Sequence, residues 1–267
     1  MSTVESSKKI RALTLKCIGS LGSGHVGGSL SIADVLAVLY DKYMNVDPSN
    51  PHMEGRDRLV LSKGHAGPAL YATLCYKGFF PEDWLLTLNK LGTRLPSHCN
   101  MLLTPGVDMT AGSLGQGLSC ACGLATGSKI LKDNATIYAI VGDGELQEGQ
   151  NWCALMYAAD KKLDNLIVFV DKNGLQIDGT TEEVMDIGDI ENKFRAFGFD
   201  TVSINGHDHD AIDKAIKNAR LHKGSPSCIV LHTVKGKGVS FYETMGAGVH
   251  STTCTAEQLQ KALEELR

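Results

Sequence analysis

The sequence predicts an α/β protein: a parallel sheet with helices on both of its faces. Three observations lead there. Strand-like and helix-like segments alternate along the 267 residues, the arrangement that crossover connections between parallel strands produce. Thr136–Val141 and Leu166–Val170 are short β-branched apolar runs of the kind found in buried strands. Between them, Glu148–Asp160 has helical spacing, so Thr136–Gly179 is one strand–helix–strand unit, whose two strands should be parallel neighbours.

The elements follow in order. Ser6–Ile18 is a helix on the spacing of Ile10, Leu13, Cys17 and Ile18. The next segment, Gly22-Ser23-Gly24-His25-Val26-Gly27, fits G-x-G-x-x-G. A dinucleotide-binding loop follows a strand, however, and a helix precedes this one. Ser31–Tyr43 is expected as a second helix. Asn50 to Gly55 is a polar loop, Arg58–Ser62 a strand, and the phrase LSKGHAGPALYATL opens a helix with Pro68 in its first turn. Pro81–Lys90 is a short helix with Trp84, Leu85 and Leu88 inward. Arg94 to Thr110 has no periodicity, and so long a loop in a compact domain is usually functional. Leu118–Leu131 is expected to be a buried helix. On the central helix, Trp152, Leu155, Met156 and Ala159 should form the inward face. Asp189–Phe197 is a helix, Asp200–Ile204 a strand, Ala211–Leu221 an amphipathic helix and Ser227–Val234 the last strand. GHDHD at 206–210 suits a helix N-terminus better than a metal site. Lys235–Thr253 is glycine-rich and by composition a surface loop. Thr255–Arg267 is a terminal helix opened by a Thr255-x-x-Gln258 capping pattern.

Composition excludes several classes of function. A formal charge of −4 gives no electrostatic reason to bind nucleic acid or an anionic membrane. No apolar window spans a bilayer, and the first residues lack the apolar core of a signal peptide. The eight cysteines form no C-x-x-C pair and are expected as buried, reduced thiols of a cytoplasmic protein.

The chemistry lies at the strand ends. Asp143 closes the first strand of the central unit, and Asn173, 30 positions later, closes the second. In neighbouring parallel strands both side chains face the crevice where open α/β sheets bind ligands. One carboxylate and one amide oxygen suit a magnesium ion that keeps water and takes further oxygens from phosphate. Gly142 and Gly144 let backbone approach such a phosphate, and the helix start beyond them offers free N–H groups. Asp, Asn and Gly are also ordinary turn residues.

Gly-Asp-Gly followed by Asn at this distance resembles the thiamine diphosphate signature. GDGELQEGQ and LQIDG narrow the resemblance to the transketolase family, which it covers over nearly the whole chain. The resemblance implies a thiamine diphosphate-binding, Rossmann-like domain over 1–267, with active-site loops at 94–117 and 235–254. It implies that Asp143, Asn173 and the Leu175 carbonyl hold Mg²⁺, or another divalent cation such as Ca²⁺ or Mn²⁺. GSGHVGGSLS, LSKGHA and the PSHC loop resemble the family's histidine motifs, which makes His25, His65 and His98 active-site residues, His65 also on the cofactor side. His250, in Val249-His250-Ser251 where relatives have Trp-His-Gly, is the fourth. Gly112, Ser113 and Leu114, in TPGVDMTAGSLGQG, would give backbone contacts to the aminopyrimidine. Glu148 matches a residue that reaches across the subunit interface. The chain departs from the family pattern at Cys99-Asn100, Cys153 and Lys172.

The implied activity is transfer of a two-carbon ketol unit from a ketose, ordinarily a sugar phosphate, to an aldose. The family's ylide-activating glutamate belongs to a separate pyrimidine-binding domain. The chain is therefore expected to be the N-terminal subunit of a split transketolase. It should act in a heterotetramer with a second, C-terminal subunit, on pentose phosphates or on modified or sulfonated sugars. Two alternatives stand beside this. One is a decarboxylating relative such as deoxyxylulose-phosphate synthase, which LSKGHA and the PSHC loop disfavour. The other is a non-catalytic cofactor-binding subunit, which intact Asp143 and Asn173 disfavour.

Overall fold

The computed structural model describes residues 2–267. The strands are β1 (Ser23–Gly24), β2 (Arg58–Leu61), β3 (Ile137–Gly142), β4 (Leu166–Lys172), β5 (Asp200–Asn205), β6 (Ser227–His232) and β7 (Thr252–Thr253). Five of them form one sheet in the order β2-β3-β4-β6-β5, every pairing parallel. The alternation of strand side chains divides the core in two. Leu59, Tyr138, Ile140, Ile167, Phe169 and Ile229 enter one layer, and Val60, Ala139, Val141, Val168, Val170 and Val230 the other. Such two-sided burial explains why the strands are apolar throughout.

The helices are α1 (Thr3–Gly19), α2 (Val26–Leu30), α3 (Ala33–Val38), α4 (Gly67–Tyr76), α5 (Gln116–Leu131), α6 (Gly149–Asp160), α7 (Thr181–Met185), α8 (Ile190–Ala196), α9 (His209–Leu221), α10 (Ser240–Glu243) and α11 (Ala256–Glu265). The first layer receives α1, α3, α4 and α9, and the second α5, α6 and α8. Among the described residues, no helix is long and apolar enough to cross a membrane. The expected capping box at Thr255 and Gln258 is present.

Several expectations need correction. The helix expected at 31–43 starts earlier and is broken: α2 begins at Val26 inside the glycine-rich segment, and α3 ends in a π-turn over Leu39–Tyr43. Tertiary contact selects the glycines here, since a β-carbon on Gly27 would lie 2.8 Å from the carbonyl oxygen of Val249. On α6 the buried residues are Asn151, Ala154, Leu155 and Ala158, while Met156 is 55% exposed. Contact with α5 and the sheet rotates this helix away from the face its most apolar residues define. At the end of α5, Ile130 and Leu131 lie on the surface. Cys153 is exposed, and Cys75 and Cys120 are only partly buried. The glycine-rich stretch 235–253 is ordered: it holds α10, a 3-10 turn at Gly246–Val249 and β7.

Candidate active site

β3 and β4 run side by side in register, with Gly142 opposite Asp171. Their carboxyl ends therefore bring the Gly142-Asp143-Gly144 turn beside Asp171-Lys172-Asn173. Here lies a cleft of about 220 Å³, lined by Gly142, Asp143, Gly144, Asn173 and Leu175 on one side and by four histidines on the other. The Asp143 carboxylate accepts from the backbone N–H of Gly144 at 2.9 Å and of Gly174 at 2.6 Å. The Asn173 amide oxygen accepts from Leu175 N–H, and its NH₂ donates to Asp171. The turn after β3 and the turn after β4 are thus tied to each other. Burial, reinforced by nearby Asp171, pushes the Asp143 carboxyl up to about 6, against its backbone donors and Lys63.

His25, His65, His98 and His250 come from four separate segments and meet in this cleft. The His65 and His250 ring centres are 4.9 Å apart, and His25 lies 5.3 Å from His65, 5.5 Å from His98 and 5.4 Å from His250. The antiparallel pair β1–β7 sets Gly24 opposite Thr252, which draws His25 and His250 together. His65 sits in the turn between β2 and α4. That turn is pressed against the 94–117 loop, where a β-carbon on Gly64 would lie 2.1 Å from the carbonyl oxygen of Ala111. Gly112 and Leu114 line the cleft, whereas Ser113 is exposed beside it. Glu148 lies outside the cleft, on the surface at the start of α6.

Four charged residues of the site escaped the reading of the sequence: Lys63, Asp171, Lys235 and Glu145. The Lys63 ammonium donates to the Asp171 carboxylate at 2.5 Å, with side chains 2% and 0% exposed. Ser31, Thr233 and Asn173 also donate to Asp171. Lys235 donates to the Leu175 carbonyl oxygen at 2.8 Å and lies 3.2 Å from Nδ1 of His250. An ammonium only donates, so that nitrogen of His250 carries the lone pair and Nε2 the proton. Burial, with Lys63 nearby, lowers Lys235 to about 8. Glu145 is buried and accepts from the Ser62 hydroxyl and from the amides of Gly115 and Gly142, which joins three walls of the cleft. The only signal for Glu145 was its place in GDGE.

Burial lowers all four histidines, and neighbouring positive or imidazole groups add to this for His25, His65 and His250. His250 falls to about 4. The imidazoles are thus neutral near pH 7, with one nitrogen to donate and one to accept. Stability follows. As pH falls from the ordinary histidine range towards 4, the unfolded chain takes up protons that the folded chain refuses, so acidification destabilises the fold. Without cofactor, the thermal midpoint is expected to drop more for the wild-type chain than for His250→Asn between pH 6.5 and pH 4.5, measured by scanning fluorimetry. Parallel curves would contradict this origin.

A parallel sheet whose glycine turns, carboxylate and amide oxygen share one crevice at the strand ends offers backbone and oxygen groups to a phosphorylated ligand. A family model described as "Transketolase, thiamine diphosphate binding domain" matches residues 2–266, and the chain belongs to that family. It is 54% identical over 257 residues to the 6-deoxy-6-sulfo-D-fructose transketolase subunit SqwG of Clostridium sp. (strain MSTE9), covering 96% of this chain and 93% of that one. It is 38% identical over 260 residues to an apulose-4-phosphate transketolase subunit of Phocaeicola vulgatus, covering 97% and 92%. Transketolase from Leishmania mexicana superposes with a TM-score of 0.93 at 32% identity, over 98% of this chain and 41% of that chain. The chain thus spans about two-fifths of that full-length transketolase and nearly all of the two subunits.

Proposed function

We propose that the chain is the diphosphate-binding subunit of a heteromeric transketolase whose ketol donor is 6-deoxy-6-sulfo-D-fructose. Its partner is a C-terminal-type subunit carrying the pyrimidine-binding domain, and the assembly is a cytoplasmic heterotetramer. The observation that carries the reading is the meeting of four neutral imidazoles above Asp143 and Asn173. The subunit relatives, matched almost end to end, support the need for a partner, and the higher identity to the sulfofructose subunit supports the donor.

The residues fit the cofactor and its cation. Asp143, Asn173 and the Leu175 carbonyl would hold Mg²⁺, or Ca²⁺ or Mn²⁺ in its place. This is one carboxylate and two neutral oxygens, a set that leaves positions for phosphate and water. The Lys235 ammonium already rests on one of these oxygens, which supports a cation-binding role for it. Gly142 and Gly144 leave the floor open for a diphosphate, and Lys235 adds positive charge. Gly112, Ser113 and Leu114 would offer backbone to the aminopyrimidine, and Glu148 would meet the partner at the subunit boundary. When bound, thiamine diphosphate supplies a carbon nucleophile. His25, His65, His98 and His250 hold the donor's hydroxyls and move protons between them, which neutral imidazoles do in both directions. The donor leaves as an aldose two carbons shorter.

Reconstitution tests this. The pure chain with cofactor and Mg²⁺ is expected to give no turnover, and addition of the partner recovered from native extract should restore it. With the complex, kcat/KM for 6-deoxy-6-sulfo-D-fructose should exceed that for fructose 6-phosphate by at least about tenfold, with one aldose acceptor. Turnover by the chain alone would remove the partner requirement, and equal values would remove the donor assignment.

A further inference from the structure

The GHDHD stretch does more than open a helix. Asp208 caps α9, accepting from the amides of Asp210 and Ala211. His207 bridges two other segments. Its Nδ1 lies 2.7 Å from the buried carboxylate of Asp34, which Arg11 holds with both terminal nitrogens and which His209 Nε2 meets at 3.1 Å. Its Nε2 lies 2.9 Å from the backbone nitrogen of Val234. A backbone N–H only donates, so Nε2 carries a lone pair, and the ring proton sits on Nδ1 and donates to Asp34.

Val234 precedes Lys235, whose ammonium holds the Leu175 carbonyl and faces His250. The stretch 233–236 leaves β6 and crosses the rim of the cleft. Thr233 is anchored on Lys172 and Asp171, and Gly236 on the carbonyl of Gly27. His207 supplies the hydrogen bond to the amide between those anchors. We infer that His207 is a positioning residue: through Val234 it holds the backbone that keeps the Lys235 ammonium in the cleft, facing the cofactor's diphosphate. The inference rests on the proposed reading of this cleft as the cofactor site.

A merely structural role would run through Asp34, so the two ring nitrogens must be tested apart. In His207→Asn the amide nitrogen replaces Nδ1 and keeps Asp34, but nothing reaches Val234. In His207→Gln the amide oxygen replaces Nε2 and keeps Val234. The complex of the full-length chain with its partner subunit is followed by hydrogen exchange of the Val234 amide and by calorimetric titration with thiamine diphosphate and Mg²⁺. His207→Asn is expected to speed exchange at Val234 by about tenfold or more and to raise the dissociation constant about tenfold, the loss of roughly one hydrogen bond. His207→Gln should keep both within about threefold of wild type. The inference is overturned if Gln loses affinity while Asn keeps it, if both variants shift alike, if neither shifts, or if exchange quickens with affinity unchanged. Should His207→Asn fail to fold, His207→Ala takes its place: faster exchange and weaker binding in His207→Ala, with both kept in His207→Gln, support the inference, and the two variants behaving alike overturns it. A wild-type complex that binds no cofactor fails the functional reading and removes the diphosphate from this role, whereas the exchange data judge the Val234 link separately.

Discussion

Asp143→Ala is expected to abolish turnover of the reconstituted enzyme, by about 10³-fold or more, together with cofactor-dependent cation binding. Of the three groups proposed to hold the cation, Asp143 alone is a carboxylate, so its removal takes away the one full charge in the set. The other two oxygens cannot replace it, because Asn173 and Leu175 offer only amide dipoles. The chain itself should stay folded. Asp143 is buried near Asp171, and burial with that like charge works against its ionised form. Losing this cost offsets the loss of its bonds from Gly144 and Gly174, so the thermal midpoint should move by only a few degrees. Cation titration, turnover and a melting curve on one preparation check all three. A fully active Asp143→Ala complex would revive the reading of this chain as a non-catalytic component.

Lys63→Met is expected to cost about 3–5 kcal/mol of stability, the usual penalty for removing one partner of a buried ion pair. Methionine fills similar space but leaves the Asp171 carboxylate without its cation. Burial opposes the charge on Asp171, yet Lys63, Thr233 and Ser31 hold it below its ordinary range. For a chain of this size such a loss lowers the thermal midpoint by roughly 10 °C. The pH dependence carries a sign of its own. In wild type, the stability from a depressed carboxylate is present above its ordinary value and is lost as pH falls through the folded one. Without Lys63, Asp171 favours its neutral form in the folded state, so acid relieves the variant while it weakens wild type. The gap between the two melting curves should therefore narrow as pH falls into and below the ordinary aspartate range. A midpoint within about 2 °C of wild type at pH 7 would mean that the pair is dispensable.

The layered α/β architecture, its five parallel strands and the meeting of Asp143 with Asn173 could be read from the chain alone. These follow from local pattern. Apolar runs of strand length between glycine turns leave few ways to fold, and in adjacent parallel strands the carboxyl ends must coincide. The histidines stood out as residue types because their motifs have distinctive neighbours. His250 had the least motif support, yet the tertiary structure places its ring 4.9 Å from that of His65. Pairings between distant segments emerge only once the chain is folded. A lysine in a glycine-rich phrase looks like a solvated side chain until Asp171, 108 positions away, is found at its ammonium. Lys235, Glu145 and His207 were illegible for the same reason: each is defined by partners on other elements. The outward turn of Met156 and the order in 235–253 arise likewise, from contacts that local periodicity does not carry. Propensity and hydrophobic spacing act over one or two turns of chain, whereas the charge balance of a buried cleft is set by whatever the fold brings within a few ångströms.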